Sequence, residues 1–221
     1  MTEDMEDRIR GALWGAFMGD ALAMPSHWYY GGFGQVQADY GGPITTYIKP
    51  KTDLQGSIMN LSNTGGAGRG SCDGDIIGSV INHGKKKYWE RGRSCHYHCT
   101  LEAGENTLEA QLLLVLLQSI NANDGVFNQD DFRQRYIHFM TTPGTHNDAY
   151  ASTCHRMFFA NLKIRGSISR LAMLSQSPLF VRVWPCLTVY AATVYYRPQI
   201  NRDTNPVAKS QEATTTVDTI T

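Results

Sequence analysis

Between Thr107 and Ile120 the chain reads Thr-Leu-Glu-Ala-Gln-Leu-Leu-Leu-Val-Leu-Leu-Gln-Ser-Ile. Leu108, Leu112, Val115 and Leu116 recur at helical spacing, and Leu113, Leu114, Leu117 and Ile120 widen the stripe. A helix apolar this far around its circumference is buried by other elements. The rest of the chain must therefore wrap a central helix. With 221 residues there is enough chain for one domain with a substantial core, but not for a second full domain. Apolar residues at 42% and charged residues at 18% fit a soluble globular protein. A formal net charge of zero leaves no global field to draw nucleic acid or membrane, so neither is expected as a partner.

Helical patterns surround this segment. Residues 6–24 read as a helix in which Gly11, Gly15 and Gly19 form a smooth stripe flanked by Leu13, Trp14, Phe17 and Met18. Each interior glycine costs about 1 kcal/mol relative to alanine, so the stripe predicts another helix packed very close. Pro25 should end this helix. Residues 28–75 are punctuated by Gly31-Gly32, Gly41-Gly42-Pro43 and Gly65-Gly66-Ala67-Gly68-Arg69-Gly70, and are expected to form loops. A short helix is expected around Ile76, Ile77, Val80 and Ile81, followed by a basic turn, Lys85-Lys86-Lys87. Residues 129–141 form another amphipathic pattern, broken by Thr142-Pro143-Gly144. Residues 148–162 form a last one, with Asn147 or Asp148 as its cap.

The composition changes after Asn161. Residues 1–162 carry 13 Lys+Arg and 17 Asp+Glu, and residues 163–221 carry 7 and 3. Residues 163–180 have weak periodicity, 183–196 are β-branched and aromatic, and the Thr-rich stretch 197–221 is expected to be disordered. The expected division is a helical domain over 1–162 and a divergent segment over 163–221. Five cysteines, an odd number, argue against a disulfide framework. The acidic start, Met-Thr-Glu-Asp-Met-Glu-Asp, is unlike a secretory or mitochondrial leader. The run Gly11–Pro25 is too short to span a bilayer. A cytoplasmic protein is expected.

Two polar clusters precede helical patterns. Gly104-Glu105-Asn106-Thr107 offers an acid, an amide and a hydroxyl, all oxygen donors of the kind that hard cations such as Mg²⁺ take. Helix capping accounts for the same residues, and Asn106 with Glu109 is close to a capping box. In Thr145-His146-Asn147-Asp148, capping explains Asn147 and Asp148 but not His146. If the two clusters meet in space they make one oxygen-rich cleft. The run Cys95-His96-Tyr97-His98-Cys99 has zinc-ligand residue types, but ligands so closely spaced cannot easily surround one tetrahedral ion. Buried thiols beside polar histidines are the better reading. The glycines at 65–70 have no strand before them and make a poor phosphate cradle. Cys72-Asp73-Gly74-Asp75 lacks the remaining ligands of a calcium loop. Arg156 suits an ion pair with an acid or a phosphate.

Several of these segments, in order, resemble the ADP-ribosylglycohydrolase family, which includes the J1 crystallins. They are Arg8-Ile9-Arg10-Gly11-Ala12-Leu13 leading to Gly19-Asp20-Ala21-Leu22-Ala23-Met24-Pro25; Ser26-His27-Trp28-Tyr29-Tyr30; His96-Tyr97-His98 through Ala103-Gly104-Glu105-Asn106-Thr107-Leu108; and Pro143-Gly144-Thr145-His146-Asn147-Asp148-Ala149-Tyr150 with Cys154-His155-Arg156-Met157-Phe158-Phe159. The resemblance covers roughly residues 8–162. It implies an all-α, multi-helix bundle that binds two Mg²⁺ ions and hydrolyses the bond joining ADP-ribose to its acceptor. By that resemblance Glu105, Asn106, Thr107 and Asp148 would be metal ligands and Glu105 also a catalytic carboxylate. Asp20, His27, His98, Gly104, His146 and Asn147 would line the site for ADP-ribose or an ADP-ribosylated substrate.

The chain departs from the family pattern in two places. Glu105-Asn106 stands where relatives usually carry paired aspartates, which lowers the negative charge. The later Asp-x-Asp-Thr motif is absent, and Asp203-Thr204 and Asp218-Thr219 are isolated. The change after Leu162 fits a chain whose remaining family sequence is lost, making the bundle truncated with an irregular C-terminal segment. Two functions are then in play: a Mg²⁺-dependent hydrolase, and a catalytically inactive scaffold or crystallin-like structural or binding protein. A truncated bundle would expose the apolar face of the 107–120 helix and favour self-association.

Overall fold

The computed structural model describes residues 3–61 and 76–164. Five α-helices appear: α1 (Glu3–Ala23), α2 (Gly32–Tyr40), α3 (Leu108–Ala122), α4 (Gln129–Thr141) and α5 (Thr153–Ile164). Short 3-10 turns lie at Met24–Ser26, Met59–Leu61 and Lys86–Trp89. Among the described residues there is no strand, only the isolated bridges Asp53 with Cys95 and Ile77 with Ile81. The fold is all-α. The Gly65–Gly70 run, the Cys72–Asp75 run and the segment after Ile164 lie outside the described residues.

Helix α3 is the centre, as its pattern predicts. Leu108, Ala110, Leu112, Val115 and Leu116 are buried, and only Leu114 turns a large exposed face outward. Around them sit Leu54, Met59, Ile76, Ile77, Ile81, Trp89 and Tyr97 from the long loops, with Phe132, Tyr136 and Met140 of α4 and Phe158 and Phe159 of α5. Burying a leucine side chain such as Leu112 contributes about 2 kcal/mol. The core is therefore built as much from irregular chain as from helices.

Four sequence expectations are corrected. The glycines at 31–32 and 41–42 are the ends of a helix, not the middle of a loop. Gln35 accepts from the Gly31 N–H through its side-chain oxygen, and Gly41 closes α2 in the left-handed region at φ 80°. The isoleucines at 76, 77 and 81 are fully buried but lie in turns rather than in a helix. The last helix starts at Thr153, so Asp148 is not its cap. The small stripe of α1 meets no neighbour: a Cβ placed on Gly11, Gly15 or Gly19 would touch nothing within 4 Å among the described residues. Only Asp20 and Ala21 of α1 are buried, and Met5, Ile9, Trp14 and Met18 are exposed. Among the described residues α1 thus exposes four large apolar side chains, Met5, Ile9, Trp14 and Met18, and α3 only Leu114.

Helix α4 starts with a conventional cap. The Asn128 side-chain oxygen accepts from the Asp130 and Asp131 N–H groups at 3.0 and 3.1 Å. Asn128→Ala is expected to lower stability by about 1 kcal/mol. A urea unfolding midpoint unchanged from wild type would contradict that assignment.

Candidate functional site

The first turn of an α-helix has N–H groups with no partner in the helix itself. In α3 the N-cap, Thr107, makes no side-chain cap. Two distant carboxylates act instead. Asp20, in the last turn of α1, accepts from the Thr107 N–H at 2.8 Å, the Thr107 hydroxyl at 2.7 Å and the Asn106 amide at 3.0 Å. Asp148 accepts from the Leu108 N–H at 2.9 Å. The positive end of the α3 dipole favours both charges. The expected capping box is therefore absent, because Asn106 and Thr107 donate to Asp20 rather than capping α3 themselves. Sequence gave Asp20 a place in the site but no hint that it grips α3.

Asp148 is fully engaged. One oxygen accepts from His98 Nδ1 at 2.9 Å and the Tyr150 N–H at 3.1 Å, and the other from His98 at 3.0 Å and the Leu108 N–H. Three donors, the shared His98 N–H and the Tyr150 and Leu108 N–H groups, thus occupy most of the about four lone-pair sites of this carboxylate. His98 in turn meets His27: the Nε2 of His98 lies 2.5 Å from Nδ1 of His27, and the rings stack at 4.7 Å. Burial by itself depresses the His98 pKa, but the Asp148 carboxylate outweighs it and the net shift is upward. Burial raises the Asp148 pKa, and His98 with the two backbone donors brings it below the usual value. These directions favour the charged pair, in which the His98 Nδ1–H donates to the Asp148 carboxylate. Burial, then the His98 charge, holds His27 well below its ordinary value, hence neutral.

His96 was not singled out as a site residue. It faces Pro25, 3.0 Å from its carbonyl oxygen, and accepts from the His98 N–H at 3.0 Å. Burial, then the His98 charge, lowers its pKa to about 3. Both imidazoles of the Cys95–Cys99 run have partners elsewhere, and of its two thiols Cys95 is buried and Cys99 half-buried. Among the described residues no group of three or more His, Cys, Asp or Glu could hold a metal ion.

The solvent side of the cluster is a half-buried rim. One Glu105 oxygen accepts from the Glu102 N–H at 2.7 Å and from the Asn147 amide at 3.2 Å. Asn147 also accepts from Lys85 Nζ at 3.0 Å, while the Thr100 hydroxyl donates to its backbone oxygen at 2.6 Å. The two polar clusters noted in the sequence therefore do meet, with Asn147 touching Glu105. Gly104, at φ 83°, turns beside the exposed ring of Tyr47. The second Glu105 oxygen and the Asn106 amide oxygen have no partner among the described residues. His146 stacks on Phe139 at 5.7 Å, and burial lowers its pKa. Arg156 lies over the Trp89 ring and donates to the Ala151 carbonyl and the Thr153 hydroxyl.

The buried histidines set a pH response. Unfolded, His27 and His96 titrate near 6.5. Folded, both stay neutral below that value, His96 down to about 3. The unfolded chain then binds more protons, so these two groups lose stability as pH falls through about 6.5. His98, with its raised value, acts in the opposite sense: its stabilisation is full below about 6.5 and lost as pH rises through the folded value. His146, whose pKa burial also lowers, acts with His27 and His96, and three against one leaves a net loss in acid. The urea midpoint should fall between pH 7 and pH 5, and His96→Gln should reduce that fall. An equal fall in the variant would contradict the assignment.

The matching family profile is ADP-ribosylglycohydrolase, over residues 1–179. The match continues past Leu162, into the segment whose composition changes. No curated protein and no solved structure matches the chain significantly. No helix among the described residues is long and apolar enough to cross a membrane. The family match covers most of the chain, and its first-helix, Glu105–Leu108 and His146–Tyr150 segments come together at the start of α3. The chain belongs to the ADP-ribosylglycohydrolase family.

Proposed function

We propose that this chain binds an ADP-ribosyl group at the rim formed by Glu105, Asn106 and Asn147 and hydrolyses the bond joining its ribose to an acceptor. The observation that carries this reading is the contact of Asn147 with Glu105. It joins two clusters forty residues apart into one polar site. Hydrolysis of a glycosidic bond needs a carboxylate able to take a proton from water. Glu105 is half-buried, is held through one oxygen, and keeps the other free for that task. Asp20 and Asp148 fix the start of α3, which keeps Glu105 and Asn106 in register with Asn147. The His27, His98 and Asp148 chain lies buried behind the rim and holds one proton next to the Asp148 carboxylate.

The family also implies Mg²⁺. This ion takes one or two carboxylates and keeps several waters. The free oxygens of Glu105 and Asn106 would hold one such ion, in which case Glu105 would position the water rather than take its proton, while Asp148 and Thr107 have other partners. The described residues supply no second set of ligands. A bound Mg²⁺ would polarise and orient the ribose oxygens. With a single free carboxylate at the rim, a second reading also has support: a scaffold that binds ADP-ribose without turning it over.

Calorimetry with ADP-ribose, with and without Mg²⁺, is expected to give binding heat that depends on Mg²⁺. Glu105→Gln is expected to lower the rate of release of ADP-ribose from an ADP-ribosylated protein by about a hundredfold or more. Binding by the wild type without any release selects the scaffold reading. No binding in either condition contradicts both.

A further inference from the structure

Lys85 belongs to no part of the reading above, yet it is built into the rim. Its turn is held in place: Asn82, in the left-handed region at φ 49°, donates through its side chain to the carbonyls of Asp148 and Tyr150, and the Lys85 N–H donates to the Asn82 carbonyl at 3.0 Å. His83 bonds the Thr141 carbonyl at 3.0 Å. From this anchored turn the half-buried Lys85 ammonium donates to the Asn147 amide oxygen at 3.0 Å, and the nitrogen of the same amide donates to Glu105. Cation and carboxylate thus stand on opposite sides of a single amide.

An ammonium has three N–H donors. Asn147 takes one, and among the described residues no carboxylate pairs with the charge. A partly desolvated cation without a counter-ion is unfavourable, and an incoming anion relieves it. The other side of the rim offers Glu105 and Asn106, acceptors suited to hydroxyl groups. A ligand that matches both sides has an anionic end and a polyol end a few ångströms apart, as in a sugar phosphate. Lysine recognises phosphate as a point charge, without the fork geometry that arginine needs.

We propose that Lys85 is the anchor for the phosphate oxygens of the ligand, with the ribose hydroxyls on the Glu105 and Asn106 side. The inference rests on the reading of the rim as an ADP-ribosyl site and adds the residue that selects a phosphorylated ligand. Lys87, in the same basic turn, lies over the Tyr88 ring and is exposed, so it serves as a control for general basic character.

The test is calorimetric titration of the full chain with inorganic pyrophosphate, ADP-ribose and adenosine. Lys85→Met is expected to weaken pyrophosphate and ADP-ribose about tenfold or more, the loss of one charge-assisted hydrogen bond. Lys85→Arg should retain most of the affinity, Lys87→Met should be unchanged, and any adenosine binding should be the same in all variants. Should the methionine variant fail to fold, Lys85→Gln, which keeps a donor for Asn147, replaces it with the same expectation. ADP-ribose bound equally by wild type and the Lys85 variants overturns the role of Lys85 and leaves the proposed function standing. Pyrophosphate bound through Lys85 without any ADP-ribose binding supports the anion anchor and overturns the ADP-ribosyl reading. Equal losses in the Lys85 and Lys87 variants overturn the anchor, as does a wild type that binds neither ligand.

Discussion

The N–H groups at the start of α3 have no partners in their own helix, and the fold satisfies them with carboxylates brought from either side in sequence. Asp20 arrives from α1 and Asp148 from the loop before α5. Each carboxylate is buried, where an isolated charge would be strongly unfavourable. Each is tolerated because several donors and the helix dipole face it. The arrangement does two things at once. It closes the end of the most apolar helix in the chain, and it ties three separate stretches of sequence to one point. Burial still leaves its mark on Asp20, whose pKa is raised despite the bonds from Thr107 and Asn106.

The charge balance behind this point explains the histidines. Asp148 faces His98, and its carboxylate raises the His98 pKa against the effect of burial. Burial, and after it the His98 charge, holds the neighbouring His27 and His96 below the ordinary imidazole range. His27 shares a hydrogen bond with His98, and His96, neutral, receives one from the His98 N–H and donates one to the Pro25 carbonyl. The inner layer is thus nearly saturated with its own hydrogen bonds and has little capacity left for ligand. Free capacity lies one layer outward, in the sequence Lys85, Asn147, Glu105, where cation, amide and carboxylate reach solvent together. The inner layer holds the geometry, and the rim keeps free hydrogen-bonding groups.

Much of this was legible in the sequence where local pattern decides the outcome. The apolar periodicity of α3, the span of α4 over residues 129–141 and the break at Pro143 follow from short-range rules that the structure obeys. The two polar clusters could be picked out because an acid, amides and a hydroxyl sit together just before helical patterns. Their meeting could not, since nothing local links Glu105 to Asn147. Helix α2 was hidden because its bounding glycines also signal loops. The close partner expected for Gly11, Gly15 and Gly19 is absent among the described residues, since a smooth helix face permits close packing without requiring it. His96 and Lys85 carried too little local signal. A histidine between a cysteine and a tyrosine, and one lysine of three in a row, acquire their roles only from the distant groups that face them.

The family match and the gathering of its segments at one helix end give a single physical basis for function, the gripping of α3 by Asp20 and Asp148. Amide hydrogen exchange at Thr107 and Leu108 tests this most directly. First-turn amides of a helix ordinarily exchange rapidly because nothing in the helix protects them. With both carboxylates in place, these two should exchange as slowly as amides in the middle of α3, which open only with larger unfolding. Rapid exchange at both positions, in a chain whose α3 interior is protected, would contradict the account.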